Sequence, residues 1–248
     1  MKHEFRELVY ETVDGIARIR LNRPQALNAF SFELYTELRD AVRHAQHDDR
    51  VDIIVITGTG QAFNAGGDVK QAKATFEAEG WLGMYKFRDA APWNAVRDCP
   101  KITIAAINGL CLAGGLVLAS ACDISLAVES ATFGFNEVLV GVADRVAPSF
   151  LFGRVSAAKA KYLLLTGKRI TAAEAERIGL ITEVVPDDQL ESRVGEVIAE
   201  LRQGSPVARS LYKEFWNELM PRVQNDGEER VALAMEQSLA AHRLNARA

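Results

Sequence analysis

Histidine and cysteine are scarce in this 248-residue chain, which has four histidines and three cysteines. No histidine lies near the glycine and glutamate motifs described below, and this argues against a histidine-activated nucleophile. Cys99, Cys111 and Cys122 are odd in number and lack the spacing of metal ligands. The sequence therefore predicts buried, reduced thiols, no metal site and a cytoplasmic location.

The chain also lacks a long apolar run, a strong excess of charge and a flexible linker. Its most apolar stretch, residues 102–127, is interrupted by Asn108, by glycines and by Asp123, so no segment is predicted to cross a membrane. A net charge of −4 argues against a nucleic-acid surface. The length, and a composition of 48% hydrophobic and 25% charged residues, fit one large globular domain.

Apolar periodicity predicts alternating strands and helices. Residues 5–13 and 16–21 alternate in polarity around Asp14-Gly15, which is typical of a hairpin. Residues 32–47 repeat at helical spacing behind Ser31, a candidate N-cap. From Leu190 onward the pattern is helical. The sequence thus predicts an α/β fold of stacked β-β-α units that leads into a helical tail.

Two glycine-bearing turns are the most informative feature of the chain. Asn64-Ala65-Gly66-Gly67-Asp68 and Ala113-Gly114-Gly115 each follow a β-branched apolar run and precede a helix-like stretch. Glycine lets a ligand approach the main chain, and a helix start leaves N–H groups without partners. Taken alone, each turn is better interpreted as a tight strand-to-helix connection than as part of a functional site. Two such turns from neighbouring strands, however, can aim two N–H groups at one carbonyl oxygen and so form an oxyanion hole.

Several segments, the two glycine turns among them, are distinctive when they are read in chain order. They are residues 22–29, 63–68, 108–124, 133–137, 165–167 and 172–180. Together they closely resemble the crotonase (enoyl-CoA hydratase/isomerase) superfamily. The resemblance implies a crotonase (ClpP-like) spiral of repeated β-β-α units with a C-terminal helical region.

The resemblance also implies how the chain is organised and assembled. Residues 1–189 would form the spiral core with the CoA and acyl site, and residues 190–248 a helical trimerisation subdomain of the same domain. A homotrimer or a dimer of trimers is expected. The apolar positions of the tail agree with this expectation; they are Val231, Leu233, Ala234 and Leu239.

Three residues carry the chemistry that the resemblance implies. The N–H groups of Gly67 and Gly114 would hold the thioester oxygen of an acyl-CoA as an enolate, while Glu137 would move the proton. Glu137 also has apolar neighbours on both sides, which disfavour its charged form and strengthen it as a base. An arbitrary glutamate in such a segment would more simply be interpreted as a solvated loop residue. The resemblance to the family's catalytic-glutamate motif favours the catalytic interpretation of Glu137.

The resemblance further implies where the substrate lies. CoA would enter as part of the substrate and not as a permanently bound cofactor. The implied CoA- and substrate-binding residues are Gln25, Leu27, Ala65, Gly67, Asp68, Val69, Lys70 and Gly114. Asp68 fits a helix cap better than a catalytic role. The implied walls of the acyl pocket are Trp81, Tyr85 and Val117.

Two positions depart from the family pattern. Val117 stands where the two-glutamate hydratases carry a second glutamate, and a single carboxylate suits proton movement between two carbons better than addition of water. Asp144, next to Arg145, stands where many members have a Pro- or Gly-rich segment. A surface ion pair is the favoured interpretation of Asp144, and a second polar group facing the acyl pocket is the alternative.

The sequence therefore predicts an enzyme that acts on an acyl-CoA thioester, with enoyl-CoA isomerisation favoured over hydration. Ring, dehydratase or decarboxylase chemistry on a compact acyl-CoA is the alternative within this class. A non-catalytic crotonase-fold protein that binds CoA or RNA is the alternative from another class. The acidic net charge and the presence of Glu137 argue against that last interpretation.

Overall fold

A computed structural model of the chain describes residues 5–143 and 146–219, and at residues 81, 82 and 84–89 it describes the backbone alone. Asp144 and the apolar positions of the tail lie outside the described residues. Assembly as a trimer or a dimer of trimers therefore stays a prediction.

Strands and helices alternate along most of the described chain. The strands are β1 (Leu8–Val13), β2 (Ile16–Leu21), β3 (Ile53–Gly58), β4 (Ala62–Asn64), β5 (Ile102–Ile107), β6 (Leu110–Leu112), β7 (Ile124–Val128), β8 (Thr132–Gly134), β9 (Ile170–Thr171) and β10 (Glu183–Val185). The helices are α1 (Phe32–His47), α2 (Val69–Ala90), α3 (Trp93–Arg97), α4 (Gly114–Ala121), α5 (Val146–Leu151), α6 (Ala157–Thr166), α7 (Ala172–Arg177), α8 (Leu190–Arg202) and α9 (Pro206–Leu219). Two short 3₁₀ helices cover Pro24–Ala26 and Glu137–Val140.

The strands form two sheets that the chain visits in turn. The larger sheet has the strand order β1-β2-β3-β5-β7-β10, and the smaller one has the order β4-β6-β8-β9. The chain repeats one pattern three times: a strand in the larger sheet, then a strand in the smaller sheet, then a helix. The successive strands are β3 and β4, β5 and β6, and β7 and β8. This repetition confirms the predicted α/β spiral of β-β-α units.

Local sequence signals produce the expected turns and caps. Asp14 and Gly15 have φ of 48° and 78°, the left-handed conformation that a two-residue hairpin turn requires. The Ser31 hydroxyl accepts a hydrogen bond of 2.9 Å from the Leu34 N–H and caps α1. One break was not predicted: Gly80 has φ of 60° and interrupts α2. The apolar spacing continues on both sides of Gly80, so periodicity did not reveal the break.

The three cysteines are buried and unpaired, as the sequence predicts. Burial raises the pKa of the Cys99 and Cys111 thiols and raises the pKa of Cys122 to about 12. In the part of the chain that the structure describes, no helix is long and apolar enough to cross a membrane.

Asp123 links the larger sheet to the last described helix. Its Oδ2 accepts hydrogen bonds from Thr103 N at 2.7 Å and from Thr103 Oγ1 at 2.9 Å. The same oxygen lies 2.7 Å from the Nζ of Lys213, a residue of α9 that is only 8% exposed. Lys213 also donates to the carbonyl of Lys101 at 3.0 Å. A buried ammonium therefore fixes α9 to the ends of β5 and β7.

Replacing Asp123 by asparagine should destabilise the protein, because it leaves the buried Lys213 ammonium without a counter-charge. We expect Asp123→Asn to lower the free energy of unfolding by about 3 kcal/mol in urea denaturation. Asp40→Asn is the matched control, since Asp40 forms an ion pair with Arg39 and its side chain is 49% exposed. That control should cost about 0.5 kcal/mol or less, and equal losses in both variants would contradict the assigned role of Asp123.

Candidate active site

Three neighbouring strands of the smaller sheet lead to the predicted site. β4, β6 and β8 are parallel, with Asn64 opposite Cys111 and Leu112 opposite Gly134. The carboxyl ends of parallel strands meet at one edge of a sheet. β4 is followed by the first glycine turn, β6 by the second, and β8 by the segment that carries Glu137. Strand pairing thus brings together three segments that are far apart in sequence.

The two glycine turns are in direct contact. A Cβ built on Gly66 would lie 2.6 Å from the Cβ of Ala113 and 3.6 Å from the amide nitrogen of Gly114. Gly66 also has φ of 95°, which favours glycine. Only a residue without a side chain allows this approach. Ala113 itself has φ of 50° and ψ of −124°, an unusual backbone conformation for alanine that stores strain next to the site.

Two N–H groups of these turns are available to a ligand. Among the described residues, neither Gly67 N–H nor Gly114 N–H has an acceptor. Gly114 is the first residue of α4, where helix geometry leaves the N–H without an intrahelical partner. Gly67 is exposed, and a Cβ built on it would meet nothing within 4 Å. The other amides of the first turn are used within the protein, at Ala65, Gly66 and Asp68.

A buried pair of asparagines fixes the first turn. The Asn64 Oδ1 accepts a hydrogen bond of 2.8 Å from the Gly66 N–H, while its Nδ2 donates to the carbonyl of Asn28. The Asn28 Nδ2 donates in turn to the carbonyl of Ala62 at 2.7 Å. A Cβ on Gly115 would lie 2.8 Å from the Asn64 Oδ1, so Asn64 contacts both turns. Both asparagines are fully buried, and their hydrogen bonds compensate for that burial.

Three aromatic rings surround Gly114 on one side. The rings of Phe30 and Tyr35 are stacked with centroids 4.5 Å apart, and the Trp93 ring packs edge-on against both. A Cβ on Gly114 would lie 3.3 to 3.5 Å from these three side chains. The Phe30 backbone also accepts from Asp68 N and donates to the Gly66 carbonyl, so Phe30 connects the two turns. The sequence pattern gave Phe30 and Tyr35 no role, because they approach Gly114 only in the folded chain.

Glu137 begins the 3₁₀ helix that follows β8. The residue is half-buried, and its Oε2 is hidden from solvent. The neighbouring Asn136 has a buried Oδ1 that lacks a hydrogen-bond partner among the described residues. Sequence reasoning assigned no role to Asn136. An unsatisfied buried amide beside the predicted base is a polar feature that only the folded geometry shows.

Apart from Gly114, the predicted CoA-binding residues lie on or next to the first turn. Gln25 is exposed in the 3₁₀ helix Pro24–Ala26, and Leu27 has a left-handed φ of 51°. Val69 and Lys70 are exposed at the start of α2. Asp68 caps that helix, since its Oδ1 accepts from the Gln71 N–H at 3.1 Å.

Asp68 also forms an ion pair of 3.0 Å with Arg23. Arg23 is thereby engaged within the protein. Of the predicted pocket residues, Val117 lies in α4 and is 2% exposed. The side chains of Trp81 and Tyr85 on α2, and all of Asp144, lie outside what the structure describes.

Comparison with known proteins places this geometry in a family. The family model "Enoyl-CoA hydratase/isomerase" matches residues 11–243. The chain therefore belongs to the enoyl-CoA hydratase/isomerase family, as its motifs predict. It is 34% identical over 226 residues, 89% of this chain and 86% of the relative, to the Mycobacterium tuberculosis protein named "Probable enoyl-CoA hydratase echA8".

Other relatives agree with this assignment. The chain is 30% identical to the hydroxycinnamoyl-CoA hydratase-lyase of Pseudomonas fluorescens over 92% of this chain and 84% of the relative. A crystal structure of an enoyl-CoA hydratase subunit from Geobacillus kaustophilus superposes with a TM-score of 0.79 at 30% identity. That superposition covers 96% of this chain and 91% of the other.

The contact between Gly66 and Ala113 can be tested by a double-mutant cycle. Gly66→Ala places a methyl group against that of Ala113, while Ala113→Gly removes the partner. We expect Gly66→Ala to lower the free energy of unfolding by about 1 kcal/mol more in the wild-type background than in the Ala113→Gly background. The reason is that only the wild-type background retains the methyl group with which the new side chain clashes. Urea unfolding of the four proteins measures this coupling, and additive costs would contradict contact between the turns.

Proposed function

We propose that the protein binds an acyl-CoA thioester, holds its carbonyl oxygen between the N–H groups of Gly67 and Gly114, and moves a proton with Glu137. One observation carries the proposal: two N–H groups that have no acceptor among the described residues belong to turns that touch each other. Removal of a proton next to a thioester places negative charge on its oxygen. Fixed donors aimed at that oxygen stabilise the charge without reorganisation.

The position of Gly114 at the start of α4 adds to this stabilisation. The amino end of a helix carries partial positive charge, which favours an anion at that point. The asparagine pair and the aromatic rings hold the turns before substrate arrives. Preorganisation of this kind is what makes the donors more effective than water molecules, which must reorient.

Glu137 is the proposed acid/base because it follows the third strand of the same sheet edge. Its half-buried position beside Phe135 and Val138 removes part of the carboxylate's hydration. A carboxylate at this place can accept a proton from one carbon of the substrate and return it to another.

Val117 favours isomerisation as the reaction. It is buried one turn into α4 and offers no proton, so the described part of the site contains one candidate carboxylate, Glu137. Moving a double bond requires one group that shuttles a proton, whereas addition of water requires a group for the water as well. Hydration is the second candidate, favoured by the names of the relatives. In that case Asn136 or Asp144 would hold the water.

The proposed path of CoA runs along the first turn. The exposed Gln25, Val69 and Lys70 and the main chain at Ala65 border it. The acyl group would extend toward Val117, Trp81 and Tyr85. The aromatic content of residues 81–93 supports a compact or ring-bearing acyl group.

Substitution of Gly114 separates the role of its N–H from that of its small size. Gly114→Pro removes the donor, and proline is accepted at the first position of a helix. We expect turnover to fall by about 100- to 1,000-fold, as for other single oxyanion donors. Gly114→Ala is the matched control, because it adds a Cβ against the same three rings but keeps the N–H.

The alanine variant should retain most of the activity, while circular dichroism shows that both variants are folded. Near-normal turnover in folded Gly114→Pro would overturn the assigned donor. So would an equal loss in the alanine variant.

The reaction type is tested with 3-enoyl-CoA and 2-enoyl-CoA substrates, followed by the absorbance of the conjugated thioester. We expect conversion of the 3-enoyl thioester to its 2,3-isomer to be faster than hydration of the 2-enoyl thioester. Glu137→Gln keeps the shape of the side chain but abolishes the shuttle, so kcat should fall more than KM rises.

A second carboxylate should shift the balance between the two reactions. Val117→Glu is expected to raise hydration relative to isomerisation, whereas Val117→Gln, of similar bulk and without the charge, should not. Rapid hydration by the wild-type protein that persists in Glu137→Gln would show that the base is wrongly assigned. CoA binding without turnover of either substrate would favour the non-catalytic alternative.

A further inference from the structure

A cavity lies at the opposite end of α4 from the glycine turns. Its volume is about 390 Å³, within the range of small-molecule sites. The last residues of α4 line it on one side, and α9 covers it on another through Tyr212, Lys213 and Trp216. None of the residues assigned above to the substrate site lines this cavity.

A buried hydroxyl in this cavity lacks a partner. Ser120 lines the cavity and is 3% exposed, and its Oγ has no hydrogen-bond partner among the described residues. Leaving a buried hydroxyl unsatisfied costs free energy. A ligand with an acceptor atom in the cavity would remove that cost.

Arg154 supplies a positive charge beside it. Its only hydrogen bond among the described residues is to the Cys122 carbonyl at 3.0 Å, and no carboxylate oxygen there lies within 4.0 Å of it. Burial lowers the pKa of Arg154 below its usual value, as expected of a guanidinium that has lost hydration. The other four of its five N–H donors make no hydrogen bond within the described structure.

Asp123 also lines the cavity and attracts Arg154 electrostatically, but among the described residues no carboxylate on the wall forms an ion pair with Arg154. Lys213 is paired with Asp123, and Arg97 is paired with Asp98 at 2.9 Å. Arg209 donates to the carbonyls of Leu201 and Gly204 and has no carboxylate partner among the described residues. Within the described part of the chain, the wall thus carries two arginines without a carboxylate in ion-pair contact, Arg154 and Arg209, in a protein whose net charge is −4.

Most of the remaining wall is apolar, although Ser149, Tyr212 and Asn217 add polar groups to it. The apolar surface is formed mainly by Ile102, Ile124, Phe150, Leu201 and Trp216. A lone inorganic anion would leave this surface unfilled, whereas a purely apolar ligand would leave Ser120 and Arg154 unsatisfied. We propose that the cavity binds a carboxylate attached to a compact apolar body, with the carboxylate on Arg154 and Ser120 and the body against these apolar side chains.

Isothermal titration calorimetry with hexanoate tests the proposal, with 1-hexanol and inorganic phosphate as comparison ligands. Hexanoate should bind at least tenfold more tightly than either, because each comparison ligand lacks one half of the recognised structure. Arg154→Gln should weaken hexanoate binding by about 10- to 100-fold and Ser120→Ala by about two- to tenfold. Arg177→Gln, which changes an exposed arginine outside the cavity, should bind hexanoate like the wild type.

Thermal unfolding provides a readout that a merely structural role would not give. Without hexanoate, Ser120→Ala should be as stable as the wild type or more stable, since it removes a buried hydroxyl that has no partner among the described residues. Hexanoate should raise the Tm of the wild type more than that of Ser120→Ala. Gly114→Pro should bind hexanoate normally, which separates this cavity from the proposed active site.

Three results would overturn the proposal. The first is no measurable heat with hexanoate. The second is unchanged hexanoate affinity in Arg154→Gln, which would place the ligand elsewhere. The third is phosphate binding as tight as that of hexanoate, which would show that the apolar wall takes no part in recognition.

Discussion

The Asn64 side chain is the constraint on which the rest of the site depends. Its amide oxygen fixes the Gly66 N–H, its amide nitrogen fixes the Asn28 carbonyl, and its atoms occupy the space that a side chain on Gly115 would need. One buried amide therefore sets the position of both glycine turns relative to each other. Because the side chain is fully buried, it has no water to exchange with, and its hydrogen bonds keep one geometry.

From that constraint the remaining parts of the site follow in order. Parallel pairing of β4, β6 and β8 places three chain segments at one edge, and each segment supplies one chemical element of the site. The first two segments carry the N–H groups of Gly67 and Gly114, and the segment after β8 carries Glu137. In the function that we propose, the backbone stabilises charge and a side chain moves the proton, so the fold separates the two tasks. Under that proposal, changes in the reaction can arise at single positions such as Val117 without alteration of the frame.

Much of the fold could be predicted because its signals are local. The turn at Asp14-Gly15 and the cap at Ser31 involve residues that are neighbours in sequence, and their conformational preferences act within a few residues. The glycine turns were visible for the same reason. The aromatic rings around Gly114 were not visible, and neither was the buried Asn136 Oδ1, which has no partner within the described structure, since their significance depends on packing between distant segments. The break at Gly80 was missed because a glycine tolerates both helical and non-helical backbone.

The three buried cysteines give the protein an internal reporter of its own motions. Thiol reagents attack the thiolate, and burial both hides these sulfurs and raises the pKa of each. Labelling therefore requires the surrounding structure to open, and its rate follows the population of opened molecules. Cys111 lies in β6 and Cys122 directly follows α4, so the two thiols bracket the segment that carries Gly114. The relative labelling rates of these cysteines distinguish local opening of that segment from unfolding of the whole chain, with no foreign probe in the protein.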